Sequence, residues 1–154
     1  MLDHPIIFGF TGSRHGITAG QRDVLRGVLR NDMRHVRGRP GMIYGGRPTH
    51  LHHGDCVGAD HEAHILAVQC GLDISIHPPI ELTYRALNRP YGRGMIYEPK
   101  AYLTRNRAIV EACDVLIACP LTEDPVLRSG TWATIRYAEL MGKPVIKISQ
   151  ERYK

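Results

Sequence analysis

Ser129-Gly130-Thr131-Trp132-Ala133-Thr134 lies between an apolar run, Asp114-Val115-Leu116-Ile117-Ala118, and a helix-like segment at 132–141. A short hydroxyl-rich turn from strand to helix, with a glycine in it, gathers backbone N–H groups and a helix N-terminus at one point. Phosphates and other anions bind readily at such a point. The chain begins with a second turn of this kind. Ile6-Ile7-Phe8-Gly9-Phe10 reads as a strand, Thr11-Gly12-Ser13-Arg14 follows, and a helical pattern comes next. Two anion-ready turns, each after a strand, point to one nucleotide-like ligand held between them.

Outward from these turns, strand and helix patterns alternate to both ends of the chain. Residues 5–10 read as a buried strand, and Thr18 is the expected N-cap of a helix running to about residue 36. Leu25, Val28, Leu29, Met33 and Val36 form its apolar face. Glycine and proline then break the pattern. Residues 49–53 read as an unusually polar second strand, and 59–69 as a helix stopped by Gly71. Residues 73–77 form a third strand. Residues 80–99 carry no period and read as a long loop, often a functional feature in a compact domain. Helix 99–112, strand 115–118, a last helix ending at Gly142 and strand 143–148 complete the order. The alternation predicts one α/β domain over residues 1–154. It is Rossmann-like and three-layered, with a mostly parallel sheet of five or more strands and its ligand outside the strand carboxyl ends.

Composition narrows the class. Of 154 residues, 43% are hydrophobic, enough for a core, and 23% are charged, so disorder is not expected. No apolar run approaches the roughly 18 residues of a membrane span, so no membrane partner is expected. Met1-Leu2-Asp3-His4 lacks the basic start and apolar stretch of a signal peptide, which makes the cytoplasm the expected compartment. Cys56, Cys70, Cys113 and Cys119 form no Cys-x-x-Cys pair and read as reduced thiols, mostly in the core. The formal net charge of +5 favours anionic partners without singling out nucleic acid. Arg26, Arg30, Arg34 and Arg37 recur at helical spacing and form one stripe. It reads as a solvated face, or as a surface for an acidic partner or nucleic acid.

The turns are not the standard fingerprints. The first reads Gly9-x-x-Gly12-x-x-x-Gly16 rather than G-x-G-x-x-G, and Gly-Lys-Ser/Thr is absent, which disfavours an ordinary dehydrogenase or P-loop NTPase. In the first turn Gly12 lets a ligand approach the backbone, Thr11 and Ser13 offer hydroxyls, and Arg14 offers a fork of donors. A second loop, His53-Gly54-Asp55-Cys56-Val57-Gly58-Ala59-Asp60, also follows a strand. Asp60 reads as a cap at a helix start. Asp55 is less easily explained by capping and is a candidate for a ribose hydroxyl or a water. Arg105 and Arg107, two apart on a helix, do not share a face, and Arg105 is the expected ligand partner. His50, His52, His53, His61 and His64 are dense, yet His61-Glu62-Ala63-His64 is not His-Glu-x-x-His, and no metal or cofactor is expected.

In order along the chain, Thr11-Gly12-Ser13-Arg14, His53-Gly54-x-x-x-Gly58-Ala59-Asp60, Arg105-Asn106-Arg107 and Ser129-Gly130-Thr131 resemble the SLOG superfamily of Rossmann-like proteins. They are most similar to its YspA/YpsA-related branch. The resemblance spans residues 6–148. It implies a parallel sheet of at least five strands, a nucleotide-like ligand over the strand ends and a homodimer. The implied ligand and phosphate contacts are Thr11, Gly12, Ser13, Arg14, Gly54, Asp55, Gly58, Asp60, Arg105, Ser129, Gly130 and Thr131. The superfamily includes the LOG phosphoribohydrolases, nucleotide-ligand sensors and carriers, and DprA. LOG enzymes carry Pro-Gly-Gly-x-Gly-Thr-x-x-Glu. Here Thr134 stands at the glutamate position, and Glu139 is poorly spaced to replace it. Three functions follow as expectations. The first is a binding module, sensor or carrier, for a nucleotide or its derivative. The second is an N-glycosidic hydrolase or transferase using another carboxylate such as Asp55. The third, less favoured, is DprA-like binding of nucleic acid.

Overall fold

A computed structural model describes residues 4–32 and 46–154. Five strands form one all-parallel sheet in the order β3-β2-β1-β4-β5: β1 Pro5–Gly12, β2 Arg47–His53, β3 Asp73–Ile76, β4 Val115–Cys119 and β5 Val145–Lys147. Four helices flank it: α1 Ala19–Leu29, α2 Ala59–Gln69, α3 Tyr102–Ala112 and α4 Gly130–Leu140. The strand order reverses between β1 and β4. Their carboxyl ends diverge into helices on opposite faces, and that divergence opens a crevice.

The two faces can be read off single strands, because side chains alternate. Val115, Ile117 and Cys119 of β4 join Phe8, Phe10, Leu51 and Ile74 in a core shared with Leu25 and Val28 of α1 and Ala63 and Leu66 of α2. Leu116 instead packs with Val110 and Cys113 at α3 and Ala138 of α4. Each large side chain buried this way is worth about 1.5–3 kcal/mol relative to exposure. The second face is apolar only over β1, β4 and β5. Over β2 and β3 the same parity places His50, His52, Ser75 and His77.

Thr18 caps α1 in a full capping box with Gln21, as its position predicts. The helix is shorter than expected. Arg30 closes it, and Asn31 turns left-handed with φ 61°. Asn31 donates to the carbonyl of Gly46, 2.5 Å away. That local bond offers the chain an alternative to continued helix, as asparagine side chains often do. Of the arginine stripe, Arg26 lies on α1 and Arg30 at its cap. Met33, Arg34, Val36 and Arg37 lie outside the described residues.

The expected loop is real and runs from 77 to 101. It pairs with the outer edge of β3, where Ile74 exchanges two backbone hydrogen bonds with Tyr91, and Ile76 donates to Met95 and accepts from Tyr97. It thereby covers an edge that would otherwise be open to pairing. Gly94 is required there, since a Cβ would enter the carbonyl of Ile74.

Candidate functional site

A cleft of about 570 Å³ lies outside the carboxyl ends of β1 and β4. Thr11, Gly12, Ser13, Arg14, Gly54, Asp60, Arg105, Ser129, Gly130 and Thr131 all line it. The turns after β1 and β4 thus share one wall, although more than a hundred residues separate them in sequence. Asp55 and Gly58 do not line it.

The wall at α4 is the N-terminal turn of a helix. Ser129 is the N-cap, and its Oγ accepts from the backbone N–H of Trp132 at 3.1 Å. Gly130 and Thr131 are the first two helical residues. Their N–H groups belong to the set that no helix can satisfy internally. A Cβ on Gly130 would meet nothing within 4 Å, so space is open beside it. Thr134 faces elsewhere: its hydroxyl donates to the carbonyl of Gly130 at 2.8 Å, and it does not line the cleft.

The wall at α2 is set by a close backbone approach. Ala59 donates its N–H to the carbonyl of Ser13 at 2.9 Å. Gly58 has φ 88°, and a Cβ there would collide with the backbone of Arg14. Gly58 therefore seats the first turn against α2 rather than meeting a ligand. Asp60 is not the cap residue, because Gly58 holds that position. Its Oδ2 accepts the backbone N–H of Cys56 at 3.1 Å. Asp60 is only 6% exposed, and burial pushes its carboxyl up to about 6 against the opposing pull of Arg105.

Arg105 is 5% exposed and lines the cleft while its donors tie two strand ends together. It donates through one terminal nitrogen to the carbonyls of Gly54 and His77, at the carboxyl ends of β2 and β3. Its Nε donates to Asn106 Oδ1 at 2.7 Å, and its other terminal nitrogen lies 3.7 Å from Cys56 Sγ. Gly54 is glycine because a Cβ would occupy the guanidinium. Arg107 turns away, over the ring of Tyr137 at 5.1 Å.

Asp55 is fully buried and faces the long loop. Its Oδ2 pairs with Arg85 Nε at 3.3 Å, its Oδ1 accepts from Asn88 N–H at 2.8 Å, and its carbonyl accepts from Ala86 N–H at 2.8 Å. It adopts φ 57°, unusual for a non-glycine residue. These bonds hold the 84–88 segment in place, and Tyr84 from that segment carries the guanidinium of Arg14 4.3 Å above its ring. Asp55 thus bears on Arg14 through the loop, not on the cleft directly.

Sequence reasoning did not single out Arg128, Asn106 or Trp132 as cleft residues, and all three line it. Arg128 and Asn106 adjoin the motif residues Ser129 and Arg105, which was the available signal. Trp132 is fixed by its Nε1 donating to Thr122 Oγ1 at 3.1 Å.

The histidines pair with one another. His52 Nδ1 lies 2.8 Å from His77 Nε2, and the His77 ring stacks on Tyr97 at 4.2 Å. His53 Nδ1 accepts the N–H of Asp55, so the neutral ring carries its proton on Nε2 and donates to His64 Nδ1 at 2.9 Å. Burial holds His52 down at about 4, with His50 adding to the effect. It holds His77 at about 3 and His53 well below the usual range. Among the described residues no group of three or more His, Cys, Asp or Glu is arranged to hold a metal ion. The four thiols are unpaired, and burial raises Cys113 to about 11. No helix among the described residues is long and apolar enough to cross a membrane.

No protein-family model and no curated protein sequence matches this chain. The crystal structure of TM1055, a structural-genomics target, is similar with a TM-score of 0.56 at 16% identity. The likeness covers 92% of this chain and 72% of that one. At that identity it establishes the fold, which is Rossmann-like, with its cleft at the switch point of the sheet.

Proposed function

We propose that this protein binds a nucleotide or nucleotide-derived molecule by its phosphate, as a sensor or carrier of SLOG type. One observation carries the reading. Arg14, Arg105 and Arg128 line a cleft that also holds the N-terminus of α4, while a single carboxylate, Asp60, lines it with them. Three guanidinium groups and free helix N–H groups around one space favour an anion. The phosphate rests against Gly12-Ser13-Arg14 and Gly130-Thr131. In this reading the chain works as a homodimer, the commonest soluble assembly, which sedimentation at tens of micromolar tests.

Calorimetry with inorganic phosphate and a panel of nucleoside monophosphates tests the binding. Arg105→Ala is expected to weaken it by at least about 1.5 kcal/mol, the value of a hydrogen bond to a charged group. Absence of binding to every member of the panel rejects the reading. Turnover is not part of it. A departing base leaves positive charge on the sugar, which a carboxylate must stabilise. At the LOG glutamate position Thr134 is neutral and bonded to its own helix. Release of adenine from AMP near one per second would favour the hydrolase instead.

A further inference from the structure

We propose that Asp60 sets the specificity of this cleft, admitting phosphate monoesters that carry hydroxyl groups and rejecting bare phosphate chains. The inference rests on the phosphate-binding reading above and names the class of ligand within it. Among the cleft residues Asp60 is the sole carboxylate, 94% withdrawn from solvent at the first turn of α2. Arg14, Arg105 and Arg128 attract any anion, so they cannot distinguish one phosphate from another. A buried carboxylate can.

An ionised carboxylate only accepts hydrogen bonds and offers about four acceptor sites. The backbone N–H groups of Cys56 and Gly54 occupy two of them. Asp60 also lines the cleft, where a ligand hydroxyl can donate to the sites that remain. A sugar or other polyol supplies such donors. A second phosphate supplies only negative charge, and like charges at close range in a partly desolvated site repel strongly. The cleft volume of about 570 Å³ leaves room for more than one phosphate, so size does not impose this choice. Asp60 does, by its chemistry. The loop before α2 does not contribute a rival carboxylate, since the Asp55 side chain is fully buried against Arg85 and Asn88.

Four probes test this on the full chain: inorganic phosphate, pyrophosphate, methyl phosphate and ribose 5-phosphate. In the unaltered protein ribose 5-phosphate is expected to bind at least about tenfold tighter than methyl phosphate, from hydrogen bonds to a charged acceptor. Pyrophosphate is expected to bind no tighter than phosphate. In Asp60→Asn the preference for ribose 5-phosphate should collapse, and pyrophosphate should become the tighter of the two inorganic anions. Equal affinity for methyl phosphate and ribose 5-phosphate in the unaltered protein overturns the inference and leaves phosphate binding standing. An unchanged preference in Asp60→Asn also overturns it. Failure of all four probes rejects the phosphate-binding reading itself. The comparison of methyl phosphate with ribose 5-phosphate needs no variant, so a folding defect in Asp60→Asn does not block the test.

Discussion

The cleft and the histidine layer lie on either side of Arg105 and bury ionisable groups to opposite ends. In the cleft, charges are kept: three arginines and Asp60 line one space. In the layer over β2 and β3, charge is removed. His52 and His77 are hydrogen-bonded to each other and neutral at pH 7, because burial lowers both and the neighbouring charges add to it. Arg105 bonds to the backbone of both regions, at Gly54 and His77, and lines the cleft. Buried charges beside open space are what the proposed ligand would meet. A buried neutral pair with its partners supplied marks architecture.

The largest expected effect separates the two regions by pH. The folded-state values of His52 and His77, about 4 and about 3, lie below the unfolded 6.5. Between these limits the unfolded chain binds more protons, so stability is lost as pH falls. From pH 6.5 to 4.5 the pair removes on the order of 5 kcal/mol. Asp60 acts in the reverse sense. Its folded value, about 6, lies above the unfolded 3.8, so its contribution is present at low pH and is lost as pH rises through 6. Over the same window it offsets about 2 kcal/mol of the histidine loss. Urea unfolding across pH 4.5–7 should show a net fall towards acid, made steeper by Asp60→Asn. A flat profile, or no change in slope in that variant, breaks the comparison.

The cleft was legible in sequence and the layer was not, for a physical reason. Turns that bind anions need glycine and hydroxyl residues at strand ends, so Gly12, Ser13, Ser129 and Gly130 announce themselves locally. The parity of β4 was not legible, because a run apolar throughout does not show that Val115, Ile117 and Cys119 face one side and Leu116 the other. Nor were the roles of Asp55 and Asp60. They stand five residues apart, Asp60 with a capping explanation to hand and Asp55 without one, and only the path of the 77–101 segment decides which carboxylate it covers. It covers Asp55, through Arg85 and Asn88. Likewise His50, His52 and His53 look like a metal cluster in sequence. Alternation sends His52 and His53 to opposite faces, one meeting His77 and the other His64. The end of α1 depended on a tertiary contact of Asn31 that no local pattern encodes.

A middle-sized effect sharpens the contrast between the two carboxylates. Asp55→Asn leaves the Arg85 guanidinium, mostly buried, without its counter-charge. Breaking one partner of such a pair is expected to cost about 2–3 kcal/mol. The 84–88 segment should become the first site nicked in limited proteolysis, since Asp55 supplies three of its anchoring bonds. Phosphate affinity should fall with it by only a few-fold, because freeing the segment loosens Tyr84 beneath Arg14 without removing any group that lines the cleft. Loss of binding with stability unchanged would instead place Asp55 at the ligand.

The smallest effect asks whether the α4 turn is shaped for folding or for a ligand. Gly130 does not occupy the left-handed region, and an added Cβ would touch nothing. Alanine is better than glycine in a helix and restricts the unfolded chain, so Gly130→Ala should stabilise the protein by about 0.5–1 kcal/mol. A glycine that stability would replace is retained for something else. Here the open space belongs to the cleft, and a methyl group in it obstructs close approach of an anion to the Gly130 and Thr131 N–H groups. Gly58→Ala is the control within the same site. It stands at φ 88° against the backbone of Arg14, so it should destabilise the fold outright. Melting temperature and phosphate affinity should therefore move in opposite directions in Gly130→Ala and fall together in Gly58→Ala. A Gly130→Ala protein that melts higher and binds phosphate as before would show that the anion does not approach this helix, and would move the phosphate to the Arg14 turn alone.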